Sequence, residues 1–148
     1  AVLLADDFIV SEEKGITSDL VSAFEKNSKI QLSVMEIFGS EISNYGVVQY
    51  NTINGKVECL VEKPEENLAP SNSASIGRYV LTAEIFDILE NQTVGKGGEI
   101  QLADAINILA KENKVETVKL KGNRFDCGSV KGYLAGINFV ANKLKINN

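Results

Sequence analysis

At 148 residues, 44% hydrophobic and 24% charged, the chain has the size and make-up of one globular domain able to bury a sizeable core. A net charge of −5 without a long basic run argues against nucleic-acid and anionic-membrane partners, and no apolar stretch has the length of a membrane span or reads as a signal peptide. The absence of histidine excludes histidine triads, the usual zinc sites and histidine general bases, and Cys59 and Cys127 match no metal spacing, so they read as free thiols of a reducing compartment such as the cytoplasm.

Ala1 to Ala5 is an uninterrupted apolar run, which suits a central strand covered on both faces. A chain that opens inside such a strand reads as a fragment that has lost an N-terminal portion. Asp6 and Asp7 follow at once, where ligands of open α/β sheets bind. Two adjacent carboxylates there suit a hard cation such as Mg2+, and a turn or helix cap reads equally well. After a Gly15 loop, residues 18–26 carry Leu20, Val21 and Phe24 at helical spacing, with Thr17 or Ser18 as cap. Ile30, Leu32 and Val34 then alternate as a strand. Together these segments predict a β-α-β unit with a right-handed crossover.

Gly46 opens the next strand, either as a bulge or where a ligand approaches the backbone closely. Asn54-Gly55 signals a two-residue hairpin between residues 47–50 and 57–61. Val57, Cys59 and Val61 alternate with Glu58, Leu60 and Glu62 until Pro64, which has no N–H to give a ladder, stops the strand. Glu62 and Lys63 therefore sit at a strand end. An acid beside a cation suits a ligand with hydroxyls and a phosphate, although the dipeptide alone reads more plainly as a solvated pair.

Residues 65–75 form a polar loop containing Pro70, and residues 76–81 are apolar again with Gly77 inside. Thr82 is placed to cap a helix carrying Ile85, Phe86, Ile88 and Leu89. Gly95-Lys96-Gly97-Gly98 reads as a flexible loop without P-loop spacing. Ile100, Leu102, Ala105, Ile106 and Leu109 predict an amphipathic helix, and residues 115–120 a strand. Asp126-Cys127-Gly128 forms a turn opening the last helix, whose apolar face holds Val130, Tyr133, Leu134, Ile137, Val140, Ala141 and Leu144, before a frayed tail. No repeat or linker divides the chain, so 1–148 reads as one domain. Acids stand at element ends (Asp6, Asp7, Glu62, Glu99, Asp126), where sites are built. Asp6 and Asp126 could chelate one divalent ion from two segments; alternatively Asp126 caps the final helix.

Leu4-Ala5-Asp6-Asp7, Tyr45-Gly46-Val47-Val48, Val61-Glu62-Lys63-Pro64, Ala69-Pro70-Ser71-Asn72, Ile76-Gly77-Arg78-Tyr79, Gly98-Glu99-Ile100-Gln101-Leu102-Ala103-Asp104-Ala105 and Asp126-Cys127-Gly128-Ser129-Val130-Lys131-Gly132-Tyr133 occur in this order. Over essentially the whole chain they closely resemble the C-terminal part of the bacterial UTP–glucose-1-phosphate uridylyltransferase (UDP-glucose pyrophosphorylase) family. The resemblance implies an α/β fold, a Rossmann-like three-layer mixed sheet of the sugar nucleotidyltransferase type, here lacking its N-terminal nucleotide-binding half. It implies that Asp6 binds the catalytic Mg2+ with Asp126 as second ligand, and that Lys63 meets the phosphate of glucose 1-phosphate. Glu62 and the Gly46 backbone would hold glucose hydroxyls, Gly77 would line the sugar pocket, and Asn72 and Glu99 would add substrate contacts. Ala103 stands where the family often has threonine.

The implied reaction is direct in-line attack of glucose 1-phosphate on UTP, giving UDP-glucose and pyrophosphate, in a cytoplasmic homo-oligomer. The family's glycine-rich nucleotide loop and uracil-reading groups have no counterpart in these residues, so the chain by itself is expected to be inactive. The other readings are a non-catalytic sugar-phosphate-binding module and a dTTP-dependent sugar nucleotidyltransferase. An unpaired apolar edge at Val2–Ala5 predicts self-association.

Overall fold

The alternating runs become the strands of a six-stranded sheet. The computed structural model describes residues 1–11, 14–94 and 98–145. Its elements are β1 (Val2–Leu3), β2 (Asp7–Ser11), α1 (Ile16–Asn27), β3 (Ile30–Glu36), β4 (Gly46–Tyr50), β5 (Val57–Glu62), β6 (Ser73–Val80), α2 (Glu84–Asn91), α3 (Leu102–Lys111), β7 (Val115–Lys119), β8 (Gly122–Asp126) and α4 (Val130–Lys143). The main sheet runs β5-β4-β6-β3-β7, with β1 added to β6. β3 pairs parallel with β7, while its pairing with β6, and β4 with β5 and β6, is antiparallel. β2 and β8 form a separate antiparallel ribbon.

Alternation along β3 decides the layers. Ile30, Leu32 and Val34 face a core shared with Val48, Leu60, Ile85, Ile106 and Leu109, under α2 and α3. Burying an Ile or Leu there contributes roughly 1.5–3 kcal/mol each. On the opposite face α1 buries Ile16 and Leu20 against Ile76, Val80 and Leu120. Ser33, on that face and fully buried, donates to the Ile76 and Arg78 carbonyls at 2.9 and 2.8 Å, beside the register shift of the β3–β6 pairing. The result is a three-layer mixed α/β sheet.

Several expectations are corrected. Val2 to Ala5 is not a buried central strand. Only Val2–Leu3 is extended, both residues are exposed, and they pair antiparallel with Tyr79 and Arg78. The expected β-α-β unit is absent among the described residues, because β1 pairs with β6, and β2, which leads into α1, belongs to the ribbon. The Asn54-Gly55 turn is wider than two residues. Asn51 N–H donates to Lys56 O, and the Asn51 carboxamide oxygen accepts from Ile53 and Asn54 N–H, so an Asx-type loop closes the hairpin. The shift in the β4–β5 ladder falls at Gln49–Tyr50, not at Gly46. Neither Thr17, Ser18 nor Thr82 caps a helix: Gly15 and Ala83 hold those positions, and the Thr82 hydroxyl is buried without a partner.

The last helix is capped by the Ser129 hydroxyl, which accepts from Gly132 N–H at 3.0 Å, so Asp126 is not its N-cap. Gly136 brings α4 onto the ribbon. A Cβ there would lie 3.3 Å from Phe8 and 3.4 Å from Phe125, and Phe125 in turn packs on Phe139 at 5.1 Å between centroids. The predicted apolar stripe of α4 mostly faces outward: Val130 is 79% exposed, Tyr133 54% and Leu134 53%. Gly95, Lys96 and Gly97 lie outside the described residues, as do the last three residues of the expected tail.

Candidate active site

The ribbon meets the main sheet along a cleft of about 280 Å3. One wall is the turn before β2 and the end of β8, with Asp6, Asp7, Arg124 and Asp126; the other holds Tyr45, Gly46, Glu62 and Gly77. The β2–β8 register sets Asp7 opposite Asp126 and Ile9 opposite Arg124. A strand's period of two then puts Asp7, Arg124 and Asp126 on one face of the ribbon.

Adjacent aspartates take different roles. Asp7 is 4% exposed and its carboxylate is fully engaged. Its Oδ1 accepts from Nε of Arg124 and pairs with a terminal amino group of the same guanidinium, while Oδ2 accepts from Gly77 N–H at 2.5 Å. This overturns the expectation that Asp6 and Asp7 together hold a cation. Asp6 is exposed, and its Oδ2 points elsewhere. A Cβ built on Gly128 would lie 3.2 Å from Asp6 Oδ2 and 3.1 Å from Asp126 Oδ1. The two carboxylates therefore converge on one small space, kept open by the glycine. Asp126 Oδ1 also accepts from Gly128 N–H at 3.0 Å. Hard oxygen donors converging on such a space fit Mg2+, which keeps waters and takes one or two carboxylates. Among the described residues no group of three or more His, Cys, Asp or Glu side chains forms a fuller cage.

The opposite wall is built by close approach. Gly46 stands opposite Glu62 in the β4–β5 ladder, and a Cβ on it would come within 3.1 Å of Glu62 Oε2. A Cβ on Gly77 would meet Leu4 Cβ at 2.6 Å as well as the Asp7 carboxylate, so glycine there is required by packing. Lys63 follows with φ at 44°, in the left-handed region that disfavours side chains, with Pro64 next disfavouring the right-handed alternative. Its N–H donates to Tyr45 O at 3.0 Å, which ties it to the cleft wall although its side chain is exposed.

Arg124 is the cleft residue that sequence reading missed. Its side chain is 11% exposed, and beside Asp7 it donates to the Tyr45 hydroxyl at 2.6 Å. Burial is the largest single influence and opposes its charge, but Asp7, Tyr45 and Asp126 together outweigh it, so its pKa is raised. Reading Arg124 and Asp126 as period-two neighbours on one strand would have found it. Burial pushes the Tyr45 hydroxyl up, partly offset by Arg124. Burial does the same to Tyr79, with the charges of Asp7 and Glu62 adding.

The cleft thus brings together Asp6, Gly46, Glu62, Gly77 and Asp126, and Lys63 lies at its edge. Asn72 and Glu99 are not brought in. Asn72 lines a separate groove of about 430 Å3 with Val34, Tyr50 and Thr117, and its carbonyl accepts from Ile37 N–H. Glu99 is exposed ahead of α3.

Comparison with known proteins gives the family and the fold. The family model of the nucleotidyl transferases matches residues 1–143. The chain is 43% identical to a UTP–glucose-1-phosphate uridylyltransferase of Pseudomonas aeruginosa, over 94% of this chain and 51% of that protein. A crystal structure of UDP-glucose pyrophosphorylase complexed with UDP-glucose superposes with a TM-score of 0.87 at 36% identity, over 95% of this chain and 55% of that one. A UTP-bound enzyme of that kind from Acinetobacter baumannii superposes with a TM-score of 0.83 at 32% identity, over 95% of this chain and 50% of the other. The chain spans about half the length of the relatives it matches. Among the described residues no helix is long and apolar enough to cross a membrane.

Proposed function

This chain belongs to the nucleotidyl transferase family, and on that premise we propose that its 148 residues form one domain, the sugar-phosphate- and metal-binding part of a UTP–glucose-1-phosphate uridylyltransferase. The observation that carries this reading is the convergence of Asp6 Oδ2 and Asp126 Oδ1 beside Gly128, across a cleft from Gly46, Glu62 and Gly77. The whole protein would turn UTP and glucose 1-phosphate into UDP-glucose and pyrophosphate. A phosphate oxygen of glucose 1-phosphate attacks the α-phosphorus of UTP, and the bond to pyrophosphate breaks. No protein nucleophile is needed, so the lack of histidine is no obstacle.

Asp6 and Asp126 would hold Mg2+, which when bound supplies charge neutralisation between the two phosphate groups. Glu62 accepts hydrogen bonds from glucose hydroxyls, and Gly46 lets the sugar approach the backbone. Lys63, in a left-handed turn at the cleft edge, would meet the sugar phosphate with its ammonium as a point charge. Asn72 and Glu99, outside the cleft, would touch substrate only in the whole protein. No residue of this chain is assigned to uracil. The protein is expected to work as a cytoplasmic homo-oligomer, with β1 as an exposed edge open to association.

Calorimetric titration of the chain with glucose 1-phosphate in Mg2+, beside Lys63→Ala, tests this reading. Binding by the native chain that falls about tenfold or more in the variant is expected, since a hydrogen-bonded charge contributes roughly 1.5–3 kcal/mol. Equal affinity in both proteins would remove Lys63 from the site. No binding by the native chain would set the reading aside for these residues alone.

A further inference from the structure

The cleft is divided between two sheets that share no ladder among the described residues. Its aspartates belong to the ribbon and the turn leading into it, and Gly46, Glu62 and Gly77 to the main sheet. The width of the cleft therefore depends on whatever locks one sheet to the other. Asp7 and Arg124 lie at that junction. Asp7 belongs to the ribbon, yet its Oδ2 takes the Gly77 N–H of β6, and its carbonyl takes an Arg78 amino group at 2.6 Å. Arg124, also of the ribbon, reaches the Tyr45 hydroxyl, and the Tyr45 carbonyl holds Lys63 N–H.

From Asp7, next to Asp6 in the chain, the contacts thus run Asp7–Arg124–Tyr45–Lys63 across the cleft. Buried ion pairs are weak stabilisers compared with apolar packing, so stability alone does not explain one here. The fork geometry of guanidinium does. Nε and one amino group meet a single carboxylate while the other amino group remains for Tyr45, an arrangement that a lysine cannot reproduce.

Resting on the function proposed above, we propose that the Asp7–Arg124 pair is the positioning device of this site, setting the gap between the acid-bearing ribbon and the sheet that carries Gly46, Glu62, Lys63 and Gly77. Neither residue needs to touch substrate. Their effect passes through Gly77 and Tyr45.

Arg124→Lys, which keeps the charge beside Asp7, is the informative variant, read by amide hydrogen exchange and by ligand titration. The Gly77 and Lys63 amides are expected to exchange about tenfold faster, while those of Ile30 and Lys114, bonded to Lys114 O and Leu109 O away from the cleft, keep their native rates. Affinity for glucose 1-phosphate should fall about tenfold with affinity for inorganic phosphate unchanged. Tyr45→Phe, which removes only the hydroxyl, should release the Lys63 amide and leave Gly77 protected.

Native exchange at both Gly77 and Lys63 in Arg124→Lys would overturn the proposal. Equal acceleration of all four amides would also overturn it, since that marks a general stabiliser. Should Arg124→Lys not fold, protection of Lys63 in Tyr45→Phe decides the matter in the same way. If the native chain binds no glucose 1-phosphate, the functional reading fails, and the exchange arm still decides whether the pair sets the gap.

Discussion

The main sheet and the ribbon with its helix use hydrophobic residues in opposite ways. In the sheet, Ile30, Leu32, Val48, Ile85 and Leu109 are sealed between α3, α2 and the strands. On the ribbon side, α4 closes on Phe8 and Phe125 through Gly136 and Phe139, and most of its apolar stripe stays outside. Periodicity announces a helix face but not what covers it. The sheet buries the larger core, while the ribbon, held to it by polar joints and by Ile9 packed under α1, carries Asp126 and, at its entrance, Asp6.

The comparison breaks hardest at those joints. Asp7→Ala would leave the Arg124 guanidinium buried without its partner, and a loss of about 4 kcal/mol in urea unfolding is expected. Next come paired truncations. Leu109→Ala should lower stability by about 3 kcal/mol, and Leu134→Ala, on the open face of α4, by no more than about 0.5 kcal/mol. Equal losses would mean that α4 is as closed as the sheet.

A smaller effect is alkaline. Burial raises the Tyr79 pKa, so the folded protein keeps that proton while the unfolded chain loses it near the usual value of about 10. Stability is therefore full below that pH and is lost as pH rises through the folded value. In Tyr79→Phe the fall of the urea midpoint above pH ~10 should be shallower. Least of all, Asp6→Asn should leave the melting temperature unchanged, because the Asp6 side chain is exposed, while weakening metal binding.

What was legible follows the same division. Strands β3, β4, β5 and β7 could be read from their apolar patterns, whereas the first three residues of β6, Ser73 to Ser75, fell in what read as a polar loop, and the short motifs singled out Asp6, Gly46, Glu62, Gly77 and Asp126. The ribbon could not. Asp7-Phe8-Ile9-Val10-Ser11 opens on a charged residue whose partner, Arg124, is remote in sequence, and only the β2–β8 pairing joins them. The apolar Val2–Ala5 run suggested burial, but its strand contributes two exposed residues at the edge of β6. Thr82 had the chemistry of a cap, yet the helix begins after Ala83 and leaves its hydroxyl unused.

The central claim is that Asp6 and Asp126 hold a divalent cation facing the sheet. Mn2+ titrated into the labelled chain, followed by amide line broadening, tests it most directly. Broadening should centre on Gly128 and Asp6, reach Gly77 across the cleft more weakly, and vanish in Asp126→Asn. Broadening that survives in Asp126→Asn, or that centres on acids elsewhere such as Glu36 or Glu112, would contradict it.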